Sequence, residues 1–470
     1  MAQQQSVDAA GGAGGLWRRR RAVVSWCLFD WANSAYPTLI VTFVFAAYFT
    51  RAVAASPEEG TAAWGTAISL SALFVAVLSP VFGAVADQGG RRKPWLLVTS
   101  VVCIASSALL WYVTPHMAFL WIPLVLVAIG NASFEAGQVF YNAMLPEIAP
   151  RSHLGRLSGW AWGMGYAGGL ACLTLALLLF VQPQHPLFGL DKATAEDVRI
   201  TGPLVALWFA LFAVPLFLWT PDKPSSGLSH REAVTRGLAT LADTLRNLRR
   251  HRNAAHFLIA RMIYTDGLNT LFAFGGIYAA GTFGMTFDEI LVFGIILNVA
   301  AGLGAAAFAW IDDWIGPKRT VIIALLGLTA FGTAILLIED KLTFYVLGCG
   351  IGSLIGPAQA ASRSFMARLA PAEIRTEMFG LYALSGKATA FVGPALVGWV
   401  TLWADSQRAG MATIVAFFVV GLLLLLPVRS PPGGAAVDDA GDSGAPTGSA
   451  PVSGAPVGGA PVSGESDAGR

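Results

Sequence analysis

Charge is what this chain has least of. Asp, Glu, Lys and Arg make up 12% of its 470 residues, against 55% hydrophobic residues, whereas a soluble domain carries roughly 25% charge. The deficit excludes a water-facing surface over most of the chain. Cysteine is scarce too: Cys27, Cys103, Cys172 and Cys349 each lie in or at the edge of a separate apolar segment without metal-ligand spacing, and they read as small buried apolar side chains. No His or Cys cluster suggests a metal, no Walker loop supports ATP-driven pumping, and no Ser nucleophile has a partner. An enzyme, a cofactor and a nucleic-acid partner are therefore not expected. The first apolar run, 23–49, is too long for a cleavable signal and lacks a suitable cleavage site.

What is present is a series of apolar runs long enough to cross a hydrocarbon core at ~20 residues per helix. They fall at 24–50, 64–86, 95–113, 118–145, 157–181, 203–220, 254–282, 288–311, 319–338, 342–367, 376–402 and 409–427. Continuous Leu/Ala-rich runs exclude alternating barrel strands, and a backbone in lipid must satisfy its own hydrogen bonds, so each run is expected to be helical. The fold class is an all-α membrane protein of twelve transmembrane helices. Its expected organisation is an unstructured N-terminus at 1–23, a six-helix bundle at 24–220, a polar loop at 221–253, a second bundle at 254–428 and an unstructured tail at 429–470. The second part of the loop can form an amphipathic helix on the membrane surface. Trp26, Trp31, Trp64, Trp111, Trp121 and Trp219 cluster at span ends, as interfacial anchors do.

Orientation follows from positive charge. The side shared by both termini receives Arg18 to Arg21, Arg91 to Lys93, Arg151, Arg156, the central loop, Lys318, Arg319, Arg368, Arg375 and Arg429. The opposite loops hold only Arg51, Lys192, Arg199, Lys341 and Arg408 of the 30 Lys and Arg. Both termini are expected in the cytoplasm and the protein in the cell (plasma or inner) membrane.

The halves repeat each other. Gly83-x-x-x-Asp87-x-x-Gly90-Arg91-Arg92-Lys93 follows the second span, and Ala309-x-x-x-Asp313-x-x-Gly316-Pro317-Lys318-Arg319 follows the eighth. Gln138, Ala149-Pro150, Gly159 and Gly165 line up with Gln359, Ala370-Pro371, Gly380 and Gly386. Such internal repeats mark secondary transporters. The first motif resembles the signature loop of the major facilitator superfamily. More narrowly, Asp30-Trp31-Ala32-Asn33-Ser34-Ala35-Tyr36, Tyr141 to Glu147 and Leu381 to Lys387 are similar to the branch that includes the fungal autophagy-related vacuolar effluxers. The resemblance covers about residues 24–427. It implies two pseudo-symmetric six-helix bundles around a central site, and amino-acid efflux in its fungal members. It also implies that Asp87, with Arg91 and Arg92, approaches the start of the eleventh helix near Thr376. Asp313, with Lys318 and Arg319, would do the same against the fifth helix. Either these groups latch the halves together, or they only set topology.

Charges inside spans cost roughly 2.5–3.5 kcal/mol on insertion scales, so each needs a reason. Asp30 with Asn33, and Asp266 with Asn269, share a helical face in the first helix of each half. By the resemblance those two helices line the cavity, which makes both pairs candidates for substrate or proton handling. Glu135, Gln138 and Asn142 form a stripe on the fourth helix, and Tyr36 is a further candidate contact. Lys387 either holds an anionic substrate group or neutralises Glu135. Arg261 is set apart from Asp266 and is free to meet an acidic group of the other half, whereas Arg363 is close enough to a span end to snorkel. The alternative for all of them is a static ion pair holding helices in register. The expected function is secondary transport of a small polar solute by alternating access with proton coupling, as a monomer in lipid; the resemblance implies amino acids or short peptides as the solute, and efflux as the direction. A non-transporting receptor on the same fold, or an intramembrane lipid-modifying enzyme, are the competing classes.

Overall fold

The protein is described from a computed structural model covering residues 13–246 and 251–430. The described residues are all helical or loop, with no strand. The first helix runs from Ala13 to Asn33 and continues through wider π-helical turns at Tyr36–Phe43 and Phe49–Val53. The others of the first half are Pro57–Gly89, Lys93–Leu109, Trp121–Ile148, Leu154–Ala176 and Thr201–Trp219. The second half consists of Arg252–Phe283, Phe287–Ile315, Pro317–Leu337, Lys341–Leu369, an eleventh helix in two pieces (Arg375–Ser385 and Val392–Ala404) and Gln407–Leu425. A further helix, His230–Arg246, occupies the central loop.

Ten helices among the described residues are long and apolar enough to cross a membrane. The seventh is diluted by Arg252, His256, Arg261 and Asp266, and the eleventh is interrupted. Together they complete the twelve-helix fold. Outward faces carry exposed apolar stripes, such as Leu70, Phe74 and Val77 on the second helix and Leu207, Leu211 and Leu218 on the sixth. These are faces for lipid.

Three details differ from the sequence expectation. The first helix is already formed at Ala13, within the stretch expected to be unstructured; the rest of that stretch and the tail from 431 lie outside the described residues. The eleventh span is not continuous, and Pro394 supplies the reason: without an N–H it cannot bond the Ala390 carbonyl. Pro37 likewise frees the Asn33 carbonyl, and the first helix widens there, directly after the Asp30–Asn33 turn. Finally, Trp26 and Trp64 are buried rather than interfacial, whereas Trp121 is 72% exposed.

The halves meet closely along two seams. A Cβ added at Gly83 would lie 2.3 Å from the Thr376 carbonyl oxygen, and one at Gly380 would lie 2.4 Å from that of Ser79. These glycines let the second and eleventh helices touch backbone to backbone. Gly159 does the same for the fifth and eighth helices, where a Cβ would come within 2.5 Å of the Ala305 carbonyl oxygen. Both seams lie toward the loops at 89–93, 149–156, 315–317 and 369–375, here termed the latch side; the opposite ends form the mouth side.

Candidate functional site

Between the halves lies a cavity of about 1040 Å³. It extends from Asp30 and Arg363 to Arg51 and Thr61 at the mouth-side ends of the first two helices. Two ion pairs cross it from one half to the other. Arg363 of the tenth helix donates from Nη1 to Asp30 of the first at 3.0 Å, and Lys387 of the eleventh donates from Nζ to Glu135 of the fourth at 2.8 Å. Gln138, Asn142 and Asn269 also line the cavity, as do Asn33, Ser34 and Thr38. A cross-half hydrogen bond from Tyr166 to Gln359, 2.9 Å, adds to the polar wall.

Arg363 does not snorkel. It is 2% exposed, because the groups that satisfy a guanidinium are all inside. Nε and Nη2 donate to the hydroxyl and the carbonyl of Ser158, at 2.9 and 2.7 Å, and Nη1 also reaches Asn142 at 3.3 Å. The Trp26, Tyr141 and Trp162 rings surround Cζ with centroids at 5.0, 5.9 and 5.6 Å, a cage that favours a cation. A signal for this residue existed: the 221-residue offset that aligns Gln138 with Gln359 also aligns Asn142 with Arg363.

Three other expectations are corrected. Tyr36 is buried outside the cavity, its hydroxyl donating to the Val127 carbonyl at 3.0 Å. Asp266 is 2% exposed and does not line the cavity; it faces the Gly393 backbone N–H at the break of the eleventh helix, and no cation pairs with it among the described residues. Among the described residues Arg261 meets no acidic group of the other half, and instead donates to the Tyr382 carbonyl and the Ser385 hydroxyl at 2.6 and 2.8 Å.

The latch side repeats one geometry twice. Asp87 accepts from the backbone N–H groups of Thr376 and Glu377 at 2.6 and 3.0 Å, and from the Thr376 hydroxyl at 2.6 Å. Asp313 accepts from the backbone N–H groups of Gly155 and Arg156 at 2.9 and 3.1 Å. Gly155 and Arg156 lie 221 positions before Thr376 and Glu377, so the duplicated unit reuses a carboxylate on a helix N-terminus. Free N–H groups and the helix dipole favour an anion at both.

The cations differ between the two. Arg92 is fully buried, bonding Asp87, Glu147, the Thr376 hydroxyl and the Ala143 carbonyl. Arg91 is exposed and stays out of this network. In the second half Lys318, the counterpart of Arg92, turns to the Leu426 carbonyl, and Arg368 bonds Asp313 at 3.3 Å instead. Arg319 makes no contact with Asp313 among the described residues. Arg368 stands 221 positions after Glu147, so the helix that supplies an anion in one half supplies a cation in the other. Asp312 and Ser364, bonded to each other, were not anticipated from sequence.

The central loop joins the Asp87 cluster. Asp222 accepts from the backbone N–H groups of Arg92 and Lys93 at 3.0 and 3.1 Å, and Lys223 reaches across to the Ala372 carbonyl of the second half at 3.2 Å. Burial, more than its mixed charged neighbours, lowers the basicity of Lys223. The His230–Arg246 helix lies on the second helix, with Thr240 accepting from Gln88 at 3.2 Å.

The family model described as "Vacuole effluxer Atg22 like" matches residues 61–435. The chain belongs to that family. It is 26% identical over 407 residues to the "Uncharacterized MFS-type transporter YxiO" of Bacillus subtilis, a match covering 85% of this chain and 93% of that one. It is 24% identical over 436 residues to "Autophagy-related protein 22" of Coccidioides immitis, covering 76% and 70% respectively. Among solved structures it resembles the major facilitator transporter FucP in the outward conformation, with a TM-score of 0.68, 14% identity and coverage of 88% and 99%. It also resembles the proton:xylose symporter XylE, with a TM-score of 0.65, 14% identity and coverage of 87% and 94%. The Atg22-like chain is thus an integral membrane transporter of the major facilitator superfamily and not an enzyme.

Proposed function

We propose that this chain exports a small polar solute, an amino acid or short peptide, by proton-coupled alternating access. In this reading it works as a monomer in the cell membrane with both termini in the cytoplasm. The observation that carries it is the pair of ion pairs crossing the cavity, Asp30–Arg363 and Glu135–Lys387. When the halves part on the latch side, both pairs must loosen. For the buried Asp30–Arg363 pair, a charge left without its partner is costly, by several kcal/mol; the Glu135–Lys387 pair, 22% and 32% exposed, loses less. Protonating the carboxylate, or replacing it by a charged group of the solute, removes that cost. The movement is thereby tied to a proton or to the cargo.

The family description supports efflux, and the polar wall of Asn33, Gln138, Asn142 and Gln359 suits amide and ammonium groups. The test is movement of labelled amino acids and dipeptides in proteoliposomes under an imposed pH gradient. Gradient-driven accumulation is expected in the wild type. Asp30→Asn and Glu135→Gln should keep exchange but lose the response to the gradient. Movement that ignores the gradient and both substitutions would refute proton coupling.

A further inference from the structure

Six charged side chains line the cavity: the carboxylates Asp30 and Glu135 and the cations Arg51, Arg261, Arg363 and Lys387. Asp30 is taken by Arg363 and Glu135 by Lys387. Arg51 stands at the mouth, beyond the reach of the inner site. The inner wall therefore carries one cation, Arg261, for which the described residues provide no carboxylate.

Arg261 is held in place by neutral groups. Nη1 bonds the Tyr382 carbonyl and the Ser385 hydroxyl, and Cζ lies 3.5 Å from the centroid of the Tyr382 ring. Nη2 donates no hydrogen bond among the described residues, and Nε is without a partner. A Cβ at residue 386 would come within 2.9 Å of Nη1 and 3.2 Å of Nη2, so the Gly386 backbone packs close beside the guanidinium and only glycine fits there. Asn269, whose amide donates to the Gly386 carbonyl at 3.3 Å, and the Tyr264–Ser362 hydroxyl pair stand along the same wall. A planar guanidinium, fixed on one edge and unpartnered on the other, has the form of a carboxylate receptor.

We propose that Arg261 docks an anionic, carboxylate-bearing end of the solute on its Nη2 edge, and that the transported compounds are selected by that carboxylate. This rests on the cavity being the transport site. A purely structural role is the competing account: the guanidinium would only cap the end of Arg375–Ser385, where a cation meets helix carbonyls favourably. That role does not depend on the charge of the solute.

The test uses thermal unfolding of the full purified chain in detergent against three matched panels: L-amino acids, simple mono- and dicarboxylates, and the corresponding carboxamides. Carboxylates should stabilise the wild type and their amides should not, because ligand binding to the folded state raises its midpoint. Arg261→Gln should weaken carboxylate binding about ten- to hundredfold, the range for losing a charge-assisted hydrogen bond, with Arg261→Lys retaining part of it. Equal response to carboxylates and amides overturns the proposal, as does carboxylate binding that survives in Arg261→Gln or a wild type that responds to no carboxylate. Counterflow in proteoliposomes separates the two readings. Carboxylate binding through Arg261 without movement refutes transport of that compound and keeps the docking site. Movement indifferent to the carboxylate keeps transport and refutes the docking site.

Discussion

Asp30 and Asp266 begin the same four-residue pattern in the first helix of each half, yet the structure gives them opposite surroundings. Asp30 faces the cavity and is bonded by Arg363 across 333 residues of chain. Asp266 faces away from it, against Gly393 and Thr270, and no cation pairs with it among the described residues. The pattern recurs 236 positions on, off the 221- and 226-residue offsets of the repeat, and its neighbours do not recur with it. What a carboxylate does in such a fold is set by which cation the other half brings to it, and only one half brings one.

The first way to break this comparison is to remove the cation. Arg363→Met leaves Asp30 buried beside an apolar side chain, which costs about 3–5 kcal/mol for a pair broken on one side. The unfolding midpoint in detergent should fall by more than for any other change considered below. Adding Asp30→Asn should restore part of the loss, since a neutral side chain no longer needs the cation. No recovery in the double variant would show that Arg363 acts through Ser158 and the aromatic cage alone.

The twelve spans were legible because lipid demands long apolar helices, and that signal is local. So was the repeat. The Glu135–Lys387 pair was within reach of sequence too, as two charges on helices that the resemblance places around one cavity. The role of Arg363 was harder to see: its distance from a span end allowed snorkelling, only its 221-residue offset from Asn142 pointed inside, and nothing local says that Asp30 and Ser158 wait there. The outward turn of Asp266 was equally hidden, because it depends on where Pro394 breaks a helix more than a hundred residues later. The same holds for the exchange of Lys318 for Arg368, since side-chain choice among several nearby cations is settled by packing rather than spacing.

The two carboxylates seated on helix N-termini, Asp87 and Asp313, sharpen the comparison at smaller amplitude. Asp87 is nearly fully buried and binds two backbone N–H groups, a hydroxyl and a buried arginine. Asp87→Asn should cost about 2 kcal/mol, the scale of a charge-assisted bond, and should expose latch-side positions to a thiol reagent at a cysteine introduced near Thr376. Asp313 has a similar pair of N–H donors, but neither of its arginine partners is fully buried: Arg156 is 43% exposed and Arg368 15%. Asp313→Asn should therefore cost only about 1 kcal/mol. An equal loss at both positions would mean that the buried Arg92 network adds nothing at Asp87.

The smallest effect is expected at Asp266, and it is the most informative. Asp266→Asn removes a buried carboxylate that no cation supports, so stability should be unchanged or slightly higher, within about 0.5 kcal/mol of the wild type. The response of transport to a pH gradient should also persist, in contrast to Asp30→Asn. The measurement is the same pair of readouts, unfolding midpoint and gradient-driven flux, taken on both variants side by side. If Asp266→Asn abolishes the response while Asp30→Asn does not, the proton is handled at the break of the eleventh helix rather than in the cavity. Burial without a partner would then mark the coupling site, and the ion pairs would only hold the halves in register.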